Sequence, residues 1–164
     1  MVVPRRGARG WIEAARIGDY TVVTLNFISH PDYGHNCHPA FMVAKGGEIL
    51  ASGERDIEFS ATDIHPNEAT GAQVANCLRY TYRDGGVSYA VCFERNKDVF
   101  TLDFGRAGAY HRFVGDVTLE HREGGELLER VSADALWELL DFRRRTPAAT
   151  APAASAQRPL VHHA

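Results

Sequence analysis

Residues 30 to 39 read HPDYGHNCHP and set three histidines and a cysteine in one short segment. Imidazole and thiolate are metal ligands, and zinc requires three or four of them converging on one point. An extended backbone over 35 to 38 sends His35 and His38 to opposite faces, which works against convergence. Neither an H-E-x-x-H helix nor a paired-cysteine motif is present. The segment therefore reads as a connection between strands, turned at Asp32-Tyr33-Gly34 by residues with turn chemistry. His35 and His38 are candidates only for the rim of a ligand pocket, and no metal is expected.

Two glutamates point to a different chemistry. Glu13 alternates with Trp11, Ala15 and Ile17, and Glu138 alternates with Leu136, Leu140 and Phe142. A carboxyl held among apolar side chains keeps its proton to higher pH, because desolvation penalises the ion. Such a group serves as a general acid near neutrality. Protonating an alkene needs one, together with aromatic faces that stabilise the resulting cation. The alternatives are an ion pair with an arginine such as Arg16 or Arg95, or a place on the outer face. Asp63 and Asp103 are weaker candidates. GRAGAY (105 to 110) lacks the strand-then-helix setting of a phosphate loop, and no serine sits in a G-x-S-x-G elbow.

The elements that must position these groups read as strands. DYTVVTLNFI (19 to 28) is rich in β-branched and aromatic residues, with Val23, Leu25 and Phe27 on one face;. AFMVAK, GG and EILASGE form a hairpin signal. The clearest unit is NCLRYTYRDGGVSYAVCFERN. A two-residue turn at Gly85-Gly86 pairs Asp84 with Val87, and counting outward opposes Tyr82 to Tyr89, Tyr80 to Val91 and Leu78 to Phe93. One face is then wholly apolar and the other small or polar, as a half-buried antiparallel pair requires.

Residues 98 to 104 and 111 to 121 read as two further strands. The segment SADALWELLDF is open: Ser132 caps a helix in one reading, and alternation gives a strand in the other. Many short strands with glycine-marked turns indicate an all-β domain, an antiparallel barrel or strongly bent sheet. In a closed barrel the first and last strands are neighbours, which would bring Glu13 and Glu138 within reach. Aromatics on the presumed inner faces, Phe27, Phe41, Tyr80, Tyr82, Tyr89 and Phe93, either fill a core or line an apolar pocket.

Bulk properties bound the rest. The 164 residues suit one domain, expected over 10 to 143, and 45% of them are hydrophobic;. Residues 1 to 9 and the Ala/Pro-rich stretch 144 to 164 are too poor in apolar surface to order themselves, so the termini are expected to be disordered. A formal net charge of -3 argues against a nucleic-acid partner;. No apolar run approaches the roughly 18 residues of a membrane span. Three cysteines suit a reducing cytoplasm better than a disulfide framework;.

The order GWIEAARIGDYTVVTLNFISHPDYG, MVAKGGEILASGE, LRYTYRDGGVSYAVCFERNKDVF and HRFVGDVTLEHREGGELLERVSADALWELLDF carries a resemblance. It is similar to the C-terminal barrel of the lipocalin-like superfamily of hydroxyneurosporene synthase (carotenoid 1,2-hydratase), AttH-like and survival-factor proteins. The shared features are a Trp at a strand start, GDY opening the next strand, the DYG turn and the YTYRDGG hairpin. The resemblance covers residues 10 to 142 and implies that the last segment is a closing strand. Members usually carry two barrels in tandem, so a second barrel or a second copy of the chain is the implied macromolecular partner.

The resemblance implies a long apolar small molecule as ligand, such as a lipid, isoprenoid or polyketide, and no cofactor. Three functions follow. The first is a binding module whose pocket is lined by Tyr80, Tyr82, Tyr89, Phe93, Phe27 and Phe41. The second is a hydratase or cyclase with Glu138 as the acid and Glu13 as its modulator. The third is a structural half of a two-barrel protein, which would expose an apolar patch and self-associate. The facing of Glu13 and Glu138 discriminates among them.

Overall fold

The protein is described here from a computed structural model, over residues 8 to 30 and 33 to 142. Nine strands succeed one another: β1 (Ala8–Ile17), β2 (Tyr20–Ile28), β3 (Cys37–Lys45), β4 (Glu48–Gly53), β5 (Ile57–Pro66), β6 (Gln73–Asp84), β7 (Val87–Asp103), β8 (Gly108–Glu123) and β9 (Glu126–Phe142). All pair antiparallel in one sheet of order β4-β3-β2-β1-β9-β8-β7-β6-β5. β1 begins at Ala8, inside the stretch expected to be unstructured. The rest of that stretch and the tail from 144 lie outside the described residues. No helix of the described residues is long and apolar enough to cross a membrane.

The β6–β7 hairpin has the register counted from its turn: Asp84 opposes Val87, Tyr82 opposes Tyr89, Tyr80 opposes Val91 and Leu78 opposes Phe93. Gly85 makes the turn possible with φ of 55°, a left-handed conformation that a Cβ resists;. β7 absorbs both the hairpin arm and the strand expected over 98 to 104. Register shifts at Arg95/Lys97 and Asp98/Phe100 bend it where sequence reading placed a break;. The final segment is strand, and Ser132 caps nothing; its hydroxyl meets Thr118 at 2.9 Å.

The sheet is strongly bent but its ladder does not close, because β4 and β5 remain its two edges. Side chains bridge this seam. Phe41 of β3 stacks on Tyr82 of β6, with centroids 5.6 Å apart and planes within 6°. Inside the curve lies one core that includes Trp11, Ile17, Val22, Tyr80, Phe93 and Trp137.

The strands obey a two-residue period, but the hydrophobic set does not always take the inside. On β2 the buried residues are Tyr20, Val22, Thr24 and Asn26. Val23, Leu25 and Phe27 point outward, at 37%, 38% and 41% exposure. Thr24 meets there the carboxyl that the opposing strand β1 buries, while Asn26 lies opposite Trp11. Cys37, Cys77 and Cys92 are all free thiols.

Candidate functional site

Glu13 sits in the middle of β1, with Trp11, Ala15 and Ile17 on the same face. All four are buried, and Glu13 has no exposed surface at all. The ladder sets Thr24 of β2 on one side of it and Trp137 of β9 on the other. The curvature then carries Tyr80 of β6 across the interior to meet it. Thr24 Oγ1 donates to Glu13 Oε2 at 2.7 Å, and the Tyr80 hydroxyl donates to Oε1 at 3.2 Å.

Burial dominates the electrostatics of this trio. It pushes the Glu13 carboxyl up to about 8, against the opposing effect of the hydrogen bonds from Thr24 and Tyr80;. Burial, and then the proximity of Glu13, holds the Tyr80 phenol well above its ordinary range. At neutral pH the trio is therefore uncharged and holds a proton on the carboxyl. Among the described residues no arginine neutralises it: Arg95 is committed to Asn76 and Asp98.

One residue pair further along β2, Asn26 faces the same interior opposite Trp11. Both polar atoms of its amide are buried without a hydrogen-bond partner among the described residues, as is the indole Nε1 of Trp137. A buried amide left unmatched costs on the order of 1–3 kcal/mol, which stability alone does not explain. The site thus combines a neutral acid, two hydroxyls, an unsatisfied amide and aromatic walls.

The second glutamate corrects the expectation built on the barrel's neighbouring ends. β1 and β9 do pair, but Glu138 opposes Ile12 while Glu13 opposes Trp137. The two carboxyls therefore point to opposite faces. Glu138 lies outside, 2.8 Å from the Arg112 guanidinium. The Tyr110 hydroxyl first, and Arg112 with it, hold its carboxyl below the usual range, with partial burial opposing. It is an ionised carboxylate near neutrality and holds no proton to give. The alternation with Leu136, Leu140 and Phe142 was real, but that face looks outward.

The expected ligand residues divide likewise. Tyr80 and Phe93 are fully buried, Phe41 and Tyr89 nearly so. Phe93 packs 5.6 Å from Trp137, and Tyr89 stacks on His121 at 4.6 Å. Tyr82 is half-buried at the seam. Phe27 stands on the outer face, opposite His38 of β3, and both His38 and His35 are exposed. Among the described residues no three His, Cys, Asp or Glu side chains gather as a metal site.

Thr24 and Asn26 went unread in the sequence, although their spacing from Val22 marks them. Polar residues at alternate positions of a strand rich in β-branched residues signal a face that is polar inside. His111, fully buried and 3.1 Å from the Thr70 hydroxyl, left no such signal.

No family profile matches the chain, and no curated protein matches it. Solved structures do. The crystal structure of CghA with Sch210972 has a TM-score of 0.66 at 12% identity, over 85% of this chain and 42% of that one. A putative AttH (NE1406) from Nitrosomonas europaea gives 0.55 at 16% identity, over 88% and 41%. Kievitone hydratase from Nectria haematococca gives 0.53 at 10% identity, over 87% and 41%. At these identities the likeness is one of fold, and the fold is the lipocalin-like one that the sequence resemblance implied;. The chain spans about two fifths of the length of these structures.

Proposed function

We propose that the chain binds a long apolar molecule, such as an isoprenoid or polyketide, and that Glu13 is the proton donor of a hydration or cyclisation performed on it. The observation that carries this reading is the neutral carboxyl of Glu13, sealed among Trp11, Trp137 and Tyr80 and oriented by two hydroxyls. A carboxylic acid in that setting is poised to give a proton to an alkene carbon. The cation so formed is stabilised by the electron-rich faces of the indole and phenol rings. In a hydration, water adds to the cation and returns a proton to the Glu13 carboxylate, restoring the acid. Asn26 supplies an acceptor and a donor to position the water or a polar group of the ligand;. This chemistry calls for neither metal nor cofactor.

Glu13 is closed off from solvent, so the interior must open to admit a ligand. The seam between β4 and β5, clasped by Phe41 on Tyr82, is the route that leaves the ladder intact. Enclosing about 500 Å² of apolar ligand surface, at roughly 25 cal/mol per Å², contributes about 12 kcal/mol, which offsets an association cost of about 4 kcal/mol and leaves binding near the micromolar range.

The test is a fluorescence titration with apolar dyes and isoprenoids, followed by turnover assays with any ligand that saturates. Glu13→Gln is expected to abolish turnover while changing the ligand Kd less than about threefold, since the amide keeps the shape and loses the transferable proton. Undiminished turnover by Glu13→Gln would remove Glu13 from the mechanism. The absence of saturable binding would leave the second reading, half of a two-barrel assembly. That reading draws on the share of its structural neighbours that the chain spans.

A further inference from the structure

The outer face of the sheet repeats, across neighbouring strands, the pattern of a buried surface. One row runs through Leu25, Ile12, Glu138, Arg112 and Phe100 on β2, β1, β9, β8 and β7. The row beside it runs through Phe27, Gly10, Leu140, Tyr110 and Leu102, and on the other side lie Val23, Ala14, Leu136 and Val114. The large apolar members, from Val23 at 37% to Phe100 at 48%, are exposed together. An aromatic side chain carries about 150–250 Å² and an aliphatic one somewhat less, so the shared exposed area is roughly 600 Å². That is the upper end of the 300–600 Å² typical of a monomer's largest patch. With the half-buried Leu140, Tyr110 and Val114 it approaches the roughly 800 Å² that each partner contributes to a stable interface.

We propose that this face is the interface of a homodimer, with a second copy of the same chain as its occupant. Charge complementarity selects that occupant. Arg112 and Glu138 lie side by side on paired strands, 2.8 Å apart, in the middle of the apolar rows. A two-fold axis parallel to the strands and between β8 and β9 lays β9 of one copy over β8 of the other. Each Glu138 then faces the partner's Arg112, and the two ion pairs become one closed quartet of zero net charge. Leu140 lands on Tyr110 and Leu136 on Val114, apolar against apolar. Isologous contacts require this self-complementarity. The matching structures are more than twice as long as this chain, the size that two copies reach. The inference is independent of what the interior binds.

Sedimentation equilibrium of the full chain is the test, with near-ultraviolet circular dichroism confirming the fold of each variant. The wild type is expected to be dimeric in the micromolar range. Leu136→Lys is expected to raise the dissociation constant at least about tenfold, by burying a charge in the apolar row. Arg112→Glu sets four carboxylates in the quartet and weakens the dimer as strongly. Adding Glu138→Arg to it restores opposite charges in swapped positions and recovers the dimer. A wild type that stays monomeric at about 100 µM overturns the proposal. So does a dimer indifferent to Leu136→Lys and Arg112→Glu, since it must then use another surface.

Discussion

Glu13→Gln is expected to remove the largest single contribution to the pH dependence of this protein's stability. In the folded chain the Glu13 carboxyl keeps its proton up to about pH 8, whereas an ordinary glutamate releases it near 4.5. Between those values the unfolded state binds fewer protons than the folded one, so stability falls as pH rises. The favourable contribution is complete below the unfolded value, declines by about 1.4 kcal/mol per pH unit through the window, and stops changing above about 8. From pH 5 to pH 8 the accumulated loss is on the order of 4 kcal/mol, a large fraction of what a domain of this size possesses. Glutamine has no proton to lose and keeps the shape. Urea unfolding of both proteins at a series of pH values isolates the effect, because other titrating groups cancel in the difference. The variant should gain on the wild type steadily between pH 5 and 8. Parallel curves would mean that Glu13 is ionised in the fold.

Gly115→Ala is expected to cost about 3 kcal/mol or more. A Cβ built on Gly115 would overlap the carbonyl oxygen of Glu94 and approach Cη2 of Trp137 to 2.8 Å. Its backbone is not in the left-handed region, so the penalty is purely steric. The neighbour cannot step aside, because Glu94 belongs to β7 at the point where the register against β8 shifts. Relief requires displacing that strand or the indole of Trp137, which packs on Phe93 and Phe113. The urea midpoint should fall with the slope unchanged. A loss below about 1 kcal/mol would show that the bulge yields freely.

The parts of this molecule legible in its sequence are those where only one strand face is apolar. In the β6–β7 hairpin, Arg79, Thr81 and Arg83 alternate with Leu78, Tyr80 and Tyr82, so a register error would bury arginines. Glu13 was legible for the same reason, because Arg16 marks the other face of β1. β2 and β9 gave no such contrast. Along β9, Leu136 and Leu140 share a face with Glu138, while Ala135, Trp137 and Leu139 make the opposite face apolar too. When both faces are apolar, periodicity reports a strand but not its orientation. Glu138 was therefore assigned to the interior, and Phe27 with it. The ambiguity has a physical origin: the outer face carries large exposed apolar side chains, as a core face does.

The unlaced boundary between β4 and β5 gives the molecule a direction of failure. Every other boundary in the strip is held by a ladder of backbone hydrogen bonds, and parting it would leave a row of amide and carbonyl groups unmatched at once;. At the seam nothing but side-chain contact has to yield, chiefly one ring sliding off another. Local opening free energies must therefore rise from the two margins of the strip toward β1 and β9 at its centre, a gradient set by topology rather than by composition. The protein unrolls before it unravels, and the strand that carries Glu13 is among the last to be disturbed.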